Sequence, residues 1–281
     1  MDEPLPGALP CAYWTVQSDG SVLTPGGVIE ESLVSIYVNG QDLATMMCSP
    51  VDQEALALGF LFNEGVIQSL DEVGLVQANV ARTVVDVLLH NATFNPPRRM
   101  ILTSGCGGGI TFQTLTEAYP ALESSFVTSV ATIFARMRDL HSAARLYHQV
   151  RGVHTAILVN AEEMLVSAED VGRHNAVDKI AGKALMAGVD MHDCMILTSG
   201  RISSEMVSKA RRMGAPVIAS RTSPTSITVR LAEAWNMCVV GYVRQGSLRV
   251  YTHPERLGLP AKEVETVSTQ TQPEAWPSPS V

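Results

Sequence analysis

A single cysteine stands within a run of glycines, and this run is the segment of the sequence best suited to chemistry. Residues 104–109 read Ser-Gly-Cys-Gly-Gly-Gly, with Cys106 as the third residue. Glycines carry no side-chain bulk and tolerate positive φ angles, so such a loop can present the sulfur to a partner. Its backbone N–H groups also favour the thiolate over the thiol. The pattern predicts a nucleophile that takes a group from one partner and delivers it to another.

Two arginines directly follow predicted strands, each beside the start of a helix. Ser199 and Arg201 precede a helix for which Ser203 is the predicted N-cap. Arg221 and Ser223 hold the same position after the next strand. Spare N–H groups at a helix N-terminus bind phosphate when an arginine stands beside them. Ordinary capping would explain either loop alone, but two in succession favour a phosphate or nucleotide pocket at one edge of a sheet.

A third polar group crowds the start of another predicted helix, at Arg173, His174 and Asn175. Asp178 follows His174 by four residues and so lies on the same helix face. This spacing allows a His/Asp proton relay or half of a metal site, and equally a capped helix with an ion pair. No H-x-E, H-E-x-x-H or Pro-Cys-x-x-Cys pattern accompanies the group, so we expect no metal site. Walker and GxGxxG motifs are also missing from the sequence.

These candidate sites require elements that hold them, and the first of these form a small β-rich subdomain over residues 27–95. Two alternating apolar runs meet at Asn39-Gly40, a dipeptide typical of a type I′ hairpin turn. A helix is predicted over 52–63, followed by two further strands. Residues 1–26 are rich in proline and glycine and predict a loose lead-in.

The larger part, residues 96–262, is predicted to be an α/β domain that includes a mobile cysteine loop over 103–110. A helix is predicted over 128–147, and strands then alternate with helices. This alternation favours a largely parallel sheet with a hairpin at each end. The tail, residues 263–281, has the composition of a disordered end.

Composition limits the classes of function. The 281-residue chain is 46% hydrophobic and has a net charge of −8, yet residues 201–281 carry 10 basic and 6 acidic side chains. Such a protein is a poor nucleic-acid binder but can hold a compact anion. Its five cysteines form no CxxC pair, so neither a disulfide framework nor a thiolate zinc site is expected. Without a membrane-length apolar run or a secretory N-terminus, we expect a cytoplasmic protein with no membrane partner.

Five segments together resemble one known family, the FdhD/NarQ family of formate dehydrogenase accessory sulfurtransferases. They are GFLFNEGVI (59–67), TSGCGGG (103–109), VGRHNAVDKIAGKAL (171–185), ILTSGRISSEMVSKARRMGAPVIASRTSPTS (196–226) and VYTHPERL (250–257). These motifs are long, ordered and spread over nearly the whole chain outside its termini. The resemblance is therefore specific.

The resemblance implies a sulfur carrier that works through a persulfide. A cysteine desulfurase would donate the sulfur, and Cys106 would accept it by its position in the motif. The recipient would be the molybdenum of a bis(molybdopterin guanine dinucleotide) cofactor destined for formate dehydrogenase. The family also implies a homodimer and a three-layer αβα fold that resembles cytidine deaminase without its zinc.

The resemblance further implies a guanine-nucleotide site, with GDP as a mimic of the cofactor. The residues associated with cofactor binding by their match to the family are Tyr242, Val243, Arg244, Gln245, Gly246 and Ser247. We expect the cofactor to be bound also at the helix starts beside the strand ends, with Arg201, Arg221 and the loop from Arg173 to Asn175 on its phosphates and Ser199 and Ser223 next to them. His174 is a candidate for positioning or proton transfer.

One position departs from the family. Several members have a second cysteine three residues after the first, where this chain has Gly109. Cys106 would then accept and donate sulfur alone, for which a single thiolate is enough. Two other hypotheses stay open: a non-enzymatic chaperone that binds the cofactor or a guanine nucleotide, and a thiol hydrolase that uses Cys106 with His174.

Overall fold

The computed structural model describes residues 4–91 and 119–261, which form three β-sheets and six α-helices. The strands are β1 (Ala8–Gln17), β2 (Gly20–Ile29), β3 (Ser32–Val38), β4 (Gln41–Cys48), β5 (Val73–Ala78), β6 (Val84–Leu89), β7 (His154–Val159), β8 (Met164–Asp170), β9 (Met195–Thr198), β10 (Val217–Ser220), β11 (Cys238–Arg244) and β12 (Ser247–Val250). The helices are α1 (Gln53–Asn63), α2 (Val130–Ala143), α3 (Arg145–Val150), α4 (Arg173–Ala187), α5 (Ser204–Arg212) and α6 (Ser226–Ala234). The cysteine loop 103–110 and the tail 263–281 lie outside the described residues.

The N-terminal segment is ordered, so the prediction of a loose lead-in over residues 1–26 is wrong for most of its length. Strands β1 and β2 form a two-stranded antiparallel ribbon in which Gln17 pairs with Gly20. Ala8, at the base of the ribbon, packs with Leu146 and Val153. The content of proline and glycine does not indicate this ribbon. Pro10 and Pro25 are tolerated in it, because both strands of a two-stranded sheet are edge strands and need fewer backbone N–H donors.

The second sheet confirms the predicted β-rich elements of the N-terminal third. Its four strands lie in the order β4-β3-β6-β5. Asn39 and Gly40 both have positive φ angles, 50° and 76°, as a type I′ turn between β3 and β4 requires. Helix α1 begins and ends within one residue of its predicted bounds. The boundary proposed near residue 95 falls outside the described residues and stays a prediction.

The third sheet carries the candidate site, and its six strands lie in the order β12-β11-β10-β9-β7-β8. Strands β9, β10 and β11 are parallel neighbours, whereas β7 is antiparallel to both β8 and β9. Strands β8 to β11 therefore all run in one direction, and β7 and β12 run against them. The hairpins at both ends are confirmed, but the sheet is mixed rather than largely parallel because β7 inserts between β8 and β9.

Helices cover both faces of this sheet and confirm the mixed α/β class with three layers. Ile133 and Leu140 of α2 pack on one face, beside Ile157 and Val217. Helices α4, α5 and α6 pack on the other face, in a buried cluster that continues through α1 into the second sheet. The helix predicted over 128–147 is broken at Ala144, whose ψ of 55° lies outside the helical range and separates α2 from α3. Among the described residues, every helix is too short or too polar to cross a bilayer.

The part that contains the four-stranded sheet and the part that contains the six-stranded sheet meet where α1 crosses α4. No side chain that the structure describes separates the two helices at the crossing. A Cβ atom on Gly182 would lie 1.8 Å from the carbonyl oxygen of Ala55, and one on Gly59 would lie 1.7 Å from that of Asp178. Each glycine therefore admits the backbone of the opposite helix. This crossing places the start of α4 against the end of β4.

We predict that Gly182→Ala destabilises the protein by at least about 2 kcal/mol, because the added methyl group forces the two helices apart. Urea denaturation followed by circular dichroism measures the change. Gly20→Ala is the matched control, since a Cβ atom there meets nothing within 4 Å. A Gly182→Ala midpoint equal to that of the control would contradict the close crossing.

Candidate functional site

The candidate site lies at one edge of the six-stranded sheet, where β8, β9, β10 and β11 end; we call it the carboxyl edge. Arg173 begins the helix that follows β8, Arg201 and Arg221 lie in the loops after β9 and β10, and residues 242–247 span the turn from β11 to β12. Strand β7 runs in the opposite direction, so its first residue, His154, lies at the same edge. The loops are bound to one another: the Ile202 N–H donates to the Ser223 carbonyl over 3.2 Å. Sequence-predicted groups far apart in the chain thus lie along one edge of the sheet.

A cleft of about 690 Å³ opens at this edge, between α2 and the turn that joins β11 to β12. Arg221 and the four residues Val243 to Gly246 line one side of it. Phe134, Met137 and His141 of α2 line the other side. The cleft thus combines an apolar wall with arginines, a combination that suits a flat ring attached to a charged group.

The backbone of the predicted cofactor stretch is held in an unusual shape. The β11–β12 register shifts between Gly241 and Arg244, and Tyr242 has a φ of 51°. The Tyr242 N–H donates to the Thr222 carbonyl over 2.9 Å, and the Arg249 guanidinium lies 4.3 Å from the Tyr242 ring centroid. This bulge turns the stretch toward Arg221. Such bulges re-aim side chains at sheet edges beside functional sites.

The guanidinium groups of Arg173, Arg201 and Arg221 make no hydrogen bond or ion pair with any residue that the structure describes. The Nε atom of Arg173 is buried without a partner. Burial lowers the pKa of Arg173, and the nearby charge of Arg201 lowers it further. Positive charge held together without bound carboxylates is a receptor for an anion, so these residues fit a phosphate-bearing ligand.

His174 lies just beneath these arginines and is 5% exposed. Its Nε2 is 2.9 Å from the Ser203 hydroxyl, and its Nδ1 is 3.5 Å from a Glu205 carboxylate oxygen. Burial lowers the pKa of His174 to about 3, helped by the charges of Arg173, Lys209, His154 and Arg201. The imidazole is therefore neutral at pH 7 in the ligand-free protein.

The predicted pairing of His174 with Asp178 is wrong. Asp178 faces the core, where it accepts hydrogen bonds from Lys209 at 2.6 and 2.7 Å and from Asn63 at 2.8 Å. Burial would lower the pKa of Lys209, but the carboxylates of Asp178, Glu205 and Glu64 outweigh it and raise the pKa above its usual value. Lys209, 31 residues from Asp178 in sequence, supplies the counter-charge, and helical spacing does not reveal such a partner.

Asn175 does not reach the cleft with its neighbours. It is buried, and its amide donates to the Met47 carbonyl over 2.8 Å and to Asp170 over 2.9 Å. Ser199 does lie at the edge, where its hydroxyl accepts the Thr155 N–H over 3.0 Å. Sequence analysis missed His154, whose ring Nδ1 is 3.4 Å from the same hydroxyl. No motif marks it, since only the reversed direction of β7 brings it there.

Cys106 lies outside the described residues, so the structure bears on it only through the other cysteines. Burial and the charge of Asp170 raise the pKa of Cys48 to about 12. Burial and the charges of Asp190 and Asp193 raise the pKa of Cys194 to about 11. Cys238 is fully buried, and Cys11 lies half-buried on the ribbon. Three of these four thiols are therefore shielded from attack on a partner.

Comparison with known proteins agrees with the motifs. The model of the FdhD/NarQ family matches residues 29–258, most of the chain. The chain belongs to the FdhD/NarQ family. Two relatives are the sulfur carrier protein FdhD of Bacillus subtilis (strain 168), 34% identical over 82% of this chain and 90% of that protein, and the FdhD of Wolinella succinogenes, 34% identical over 83% of each.

A solved structure from Desulfotalea psychrophila has the same fold. It is described as a candidate formate dehydrogenase accessory protein, and it superposes with a TM-score of 0.75 at 28% identity over 90% of this chain and all of that one. The FdhD/NarQ assignment and the mixed α/β class are thus confirmed. The finer likeness to cytidine deaminase stays a prediction. In the described ranges, His, Cys, Asp and Glu side chains form no cluster of three that could hold a metal ion.

Beneath the carboxyl edge, Asp170 and Lys179 form an ion pair of 2.6 Å in which neither side chain is exposed. Asp170 also accepts the backbone N–H groups of Ser49 and Gly172, over 3.0 and 2.7 Å. Lys179 donates to the Ser49 carbonyl over 3.1 Å. The pair therefore fixes the end of β8, the start of α4 and the end of β4 relative to one another.

We predict that Lys179→Met destabilises the protein by about 3–5 kcal/mol, because it leaves a buried, unpaired carboxylate. The matched control is Lys183→Met, one turn further along α4. Lys183 also has a carboxylate partner at 2.6 Å, Asp52, but its side chain is 31% exposed. The control should lose less than about 1 kcal/mol. Equal losses in urea denaturation would show that burial does not set the strength of this pair.

Proposed function

We propose that this protein is a sulfur carrier that accepts persulfide sulfur from a cysteine desulfurase and delivers it to the cofactor of a formate dehydrogenase. The relatives named sulfur carrier protein support the carrier role, and the structural relative supports the link to formate dehydrogenase. The observation that carries the proposal for this chain is the group of arginines at the carboxyl edge that have no carboxylate partner among the described residues. A carrier of a phosphate-rich cofactor needs such a receptor.

The proposed cargo site is the cleft together with the loops beside it. Phe134 and Met137 would contact the guanine ring, and Arg221 with Arg244 would bind the adjoining phosphates. Arg173 and Arg201 would bind the same pyrophosphate. The bis(molybdopterin guanine dinucleotide) cofactor is then a bound substrate, and its metal would be the acceptor of the sulfur.

Cys106 is the proposed sulfur-carrying residue. Its thiolate attacks the outer sulfur of the donor persulfide, forming a new sulfur–sulfur bond. The donor's sulfur–sulfur bond breaks, and the donor cysteine leaves as a thiolate, so the exchange needs no external oxidant or reductant. Because position 109 is glycine, no second thiol in the loop can displace the sulfur, and the persulfide persists until an acceptor arrives. A homodimer is part of this proposal, by analogy with the family.

We predict that Cys106 gains an adduct of about 32 Da, one sulfur atom, after incubation with a cysteine desulfurase and cysteine. Alkylation followed by peptide mass spectrometry detects it. Cys106→Ala should show no adduct and should fail to activate a formate dehydrogenase. Cys11→Ala is the control, because it removes the half-buried thiol of the ribbon and leaves the adduct in place. Activation by Cys106→Ala would instead favour a chaperone that only binds the cofactor.

We also predict that GDP binds at the carboxyl edge and that Arg221→Gln weakens this binding about tenfold or more, since a charged hydrogen bond to phosphate is lost. Isothermal titration calorimetry measures the dissociation constant. Arg211→Gln is the control, because Arg211 donates to the Pro120 carbonyl at the opposite edge of the sheet. If both variants bound GDP with equal affinity, Arg221 would not be part of the binding site.

A further inference from the structure

His154 is a titratable group at the carboxyl edge that neither the motifs nor the proposed chemistry uses. It is half-exposed, and its Nδ1 is 3.4 Å from the Ser199 hydroxyl. The Ser199 oxygen already accepts the Thr155 N–H, so its own proton can point toward a neutral Nδ1. The same oxygen can instead accept a hydrogen bond from the Nδ1–H of a charged imidazole. Ser199 therefore supports both protonation states of His154.

The packing around Gly200 brings His154 next to the arginines. A Cβ atom on Gly200 would lie 2.8 Å from the Cβ of Arg173 and 3.4 Å from Nδ1 of His154. A larger residue there would displace Arg173 and would be in van der Waals contact with His154. The glycine in the β9–α5 loop thus keeps a histidine and an arginine side by side, with Arg201 as the next residue.

The charges that face His154 come from three neighbouring elements. Helix α4 supplies Arg173 and His174, the end of β8 supplies Asp170, and the β9–α5 loop supplies Arg201 near Arg173. Burial lowers the pKa of His154, the charge of Arg173 lowers it further, and Asp170 opposes both. Asp170 is itself neutralised by Lys179. The ligand-free site therefore has a positive excess and a neutral His154 at pH 7.

We propose that His154 is a ligand-binding residue of the phosphate site between Arg173 and Arg201, and that it takes up a proton when a pyrophosphate group binds there. This inference rests on the proposed function, since it assigns one part of the same cargo site. A bound anion reverses the local charge and so stabilises the imidazolium, which can then donate to a phosphate oxygen. The bound pyrophosphate contributes two negative charges and Glu205 one. Arg173, Arg201 and the protonated imidazole contribute three positive charges, which balance them.

Proton uptake makes binding depend on pH in a defined direction. Between the pKa of free His154 and its higher value in the complex, affinity falls as pH rises, by up to about tenfold per pH unit. Cargo would be held more tightly in slightly acidic solution and released more easily in alkaline solution. Without His154, affinity should be independent of pH over this range.

The test is isothermal titration calorimetry with GDP-mannose at pH 7, in Pipes and in Tris, which differ in ionisation enthalpy. Both ends of the pyrophosphate in GDP-mannose are esterified, so the probe itself does not titrate near neutrality. We expect the apparent binding enthalpies to differ between the two buffers. The difference, divided by the difference in buffer ionisation enthalpy, should correspond to the uptake of most of one proton. His154→Gln should abolish the difference and weaken binding. His192→Gln, which changes an exposed histidine paired with Asp190, should leave both unchanged.

Three results would overturn the inference. Binding without proton uptake by the wild-type protein would refute it and leave the proposed function intact. Uptake that persists in His154→Gln would place the proton elsewhere, for example on His174. If neither GDP-mannose nor GDP bound, there would be no nucleotide site at this edge, and the proposed function would be refuted together with the inference. Should His154→Gln not fold, His154→Asn gives the same comparison.

Discussion

The buried ion pair between Asp170 and Lys179 is the interaction on which the rest of the site depends. Two charges without solvent contact cost several kcal/mol to desolvate, and only a full set of hydrogen bonds makes them tolerable. Asp170 obtains that set from the backbone N–H groups of Ser49 and Gly172 and from the Asn175 amide. Because Ser49 directly follows β4 and Gly172 is the N-cap of α4, the pair can form only when the two parts of the protein are in register. The positions of the residues at the carboxyl edge therefore depend on this register.

A second buried network separates the charges of the protein into two levels. Below the edge, Lys209 is matched by Asp178 and lies 3.5 Å from Glu205, so carboxylates compensate the lysine charge at this level. At the edge, Arg173 and Arg201 form no ion pair with a carboxylate in residues 4–91 and 119–261. His174 lies between the levels and stays neutral, because burial disfavours its charged form and the nearby positive charges add to that effect. The positive excess is thus confined to the surface that a phosphate-bearing ligand would reach.

Much of the secondary structure could be predicted from local patterns. The I′ hairpin at Asn39-Gly40, the α1 bounds and the cap at Ser203 follow from turn chemistry and capping, which act over a few residues. The ribbon at residues 8–29 could not be predicted in this way, because its strands are stabilised by each other rather than by an alternating buried face. The break at Ala144 was equally hidden, since the apolar pattern continues through it.

The sequence by itself determined which side chains can do chemistry: a cysteine among glycines, arginines that follow strands, and a tyrosine-to-serine stretch that matches the FdhD/NarQ family. These are properties of residue type and short spacing, which the chain carries whether or not it is folded. Only the tertiary structure decided which of them meet. Asn175 is buried and donates a hydrogen bond to Asp170, and Asp178 pairs with Lys209. His154 lies at the edge because β7 runs in the reversed direction. Strand order and direction depend on contacts between distant residues, so no local pattern encodes them.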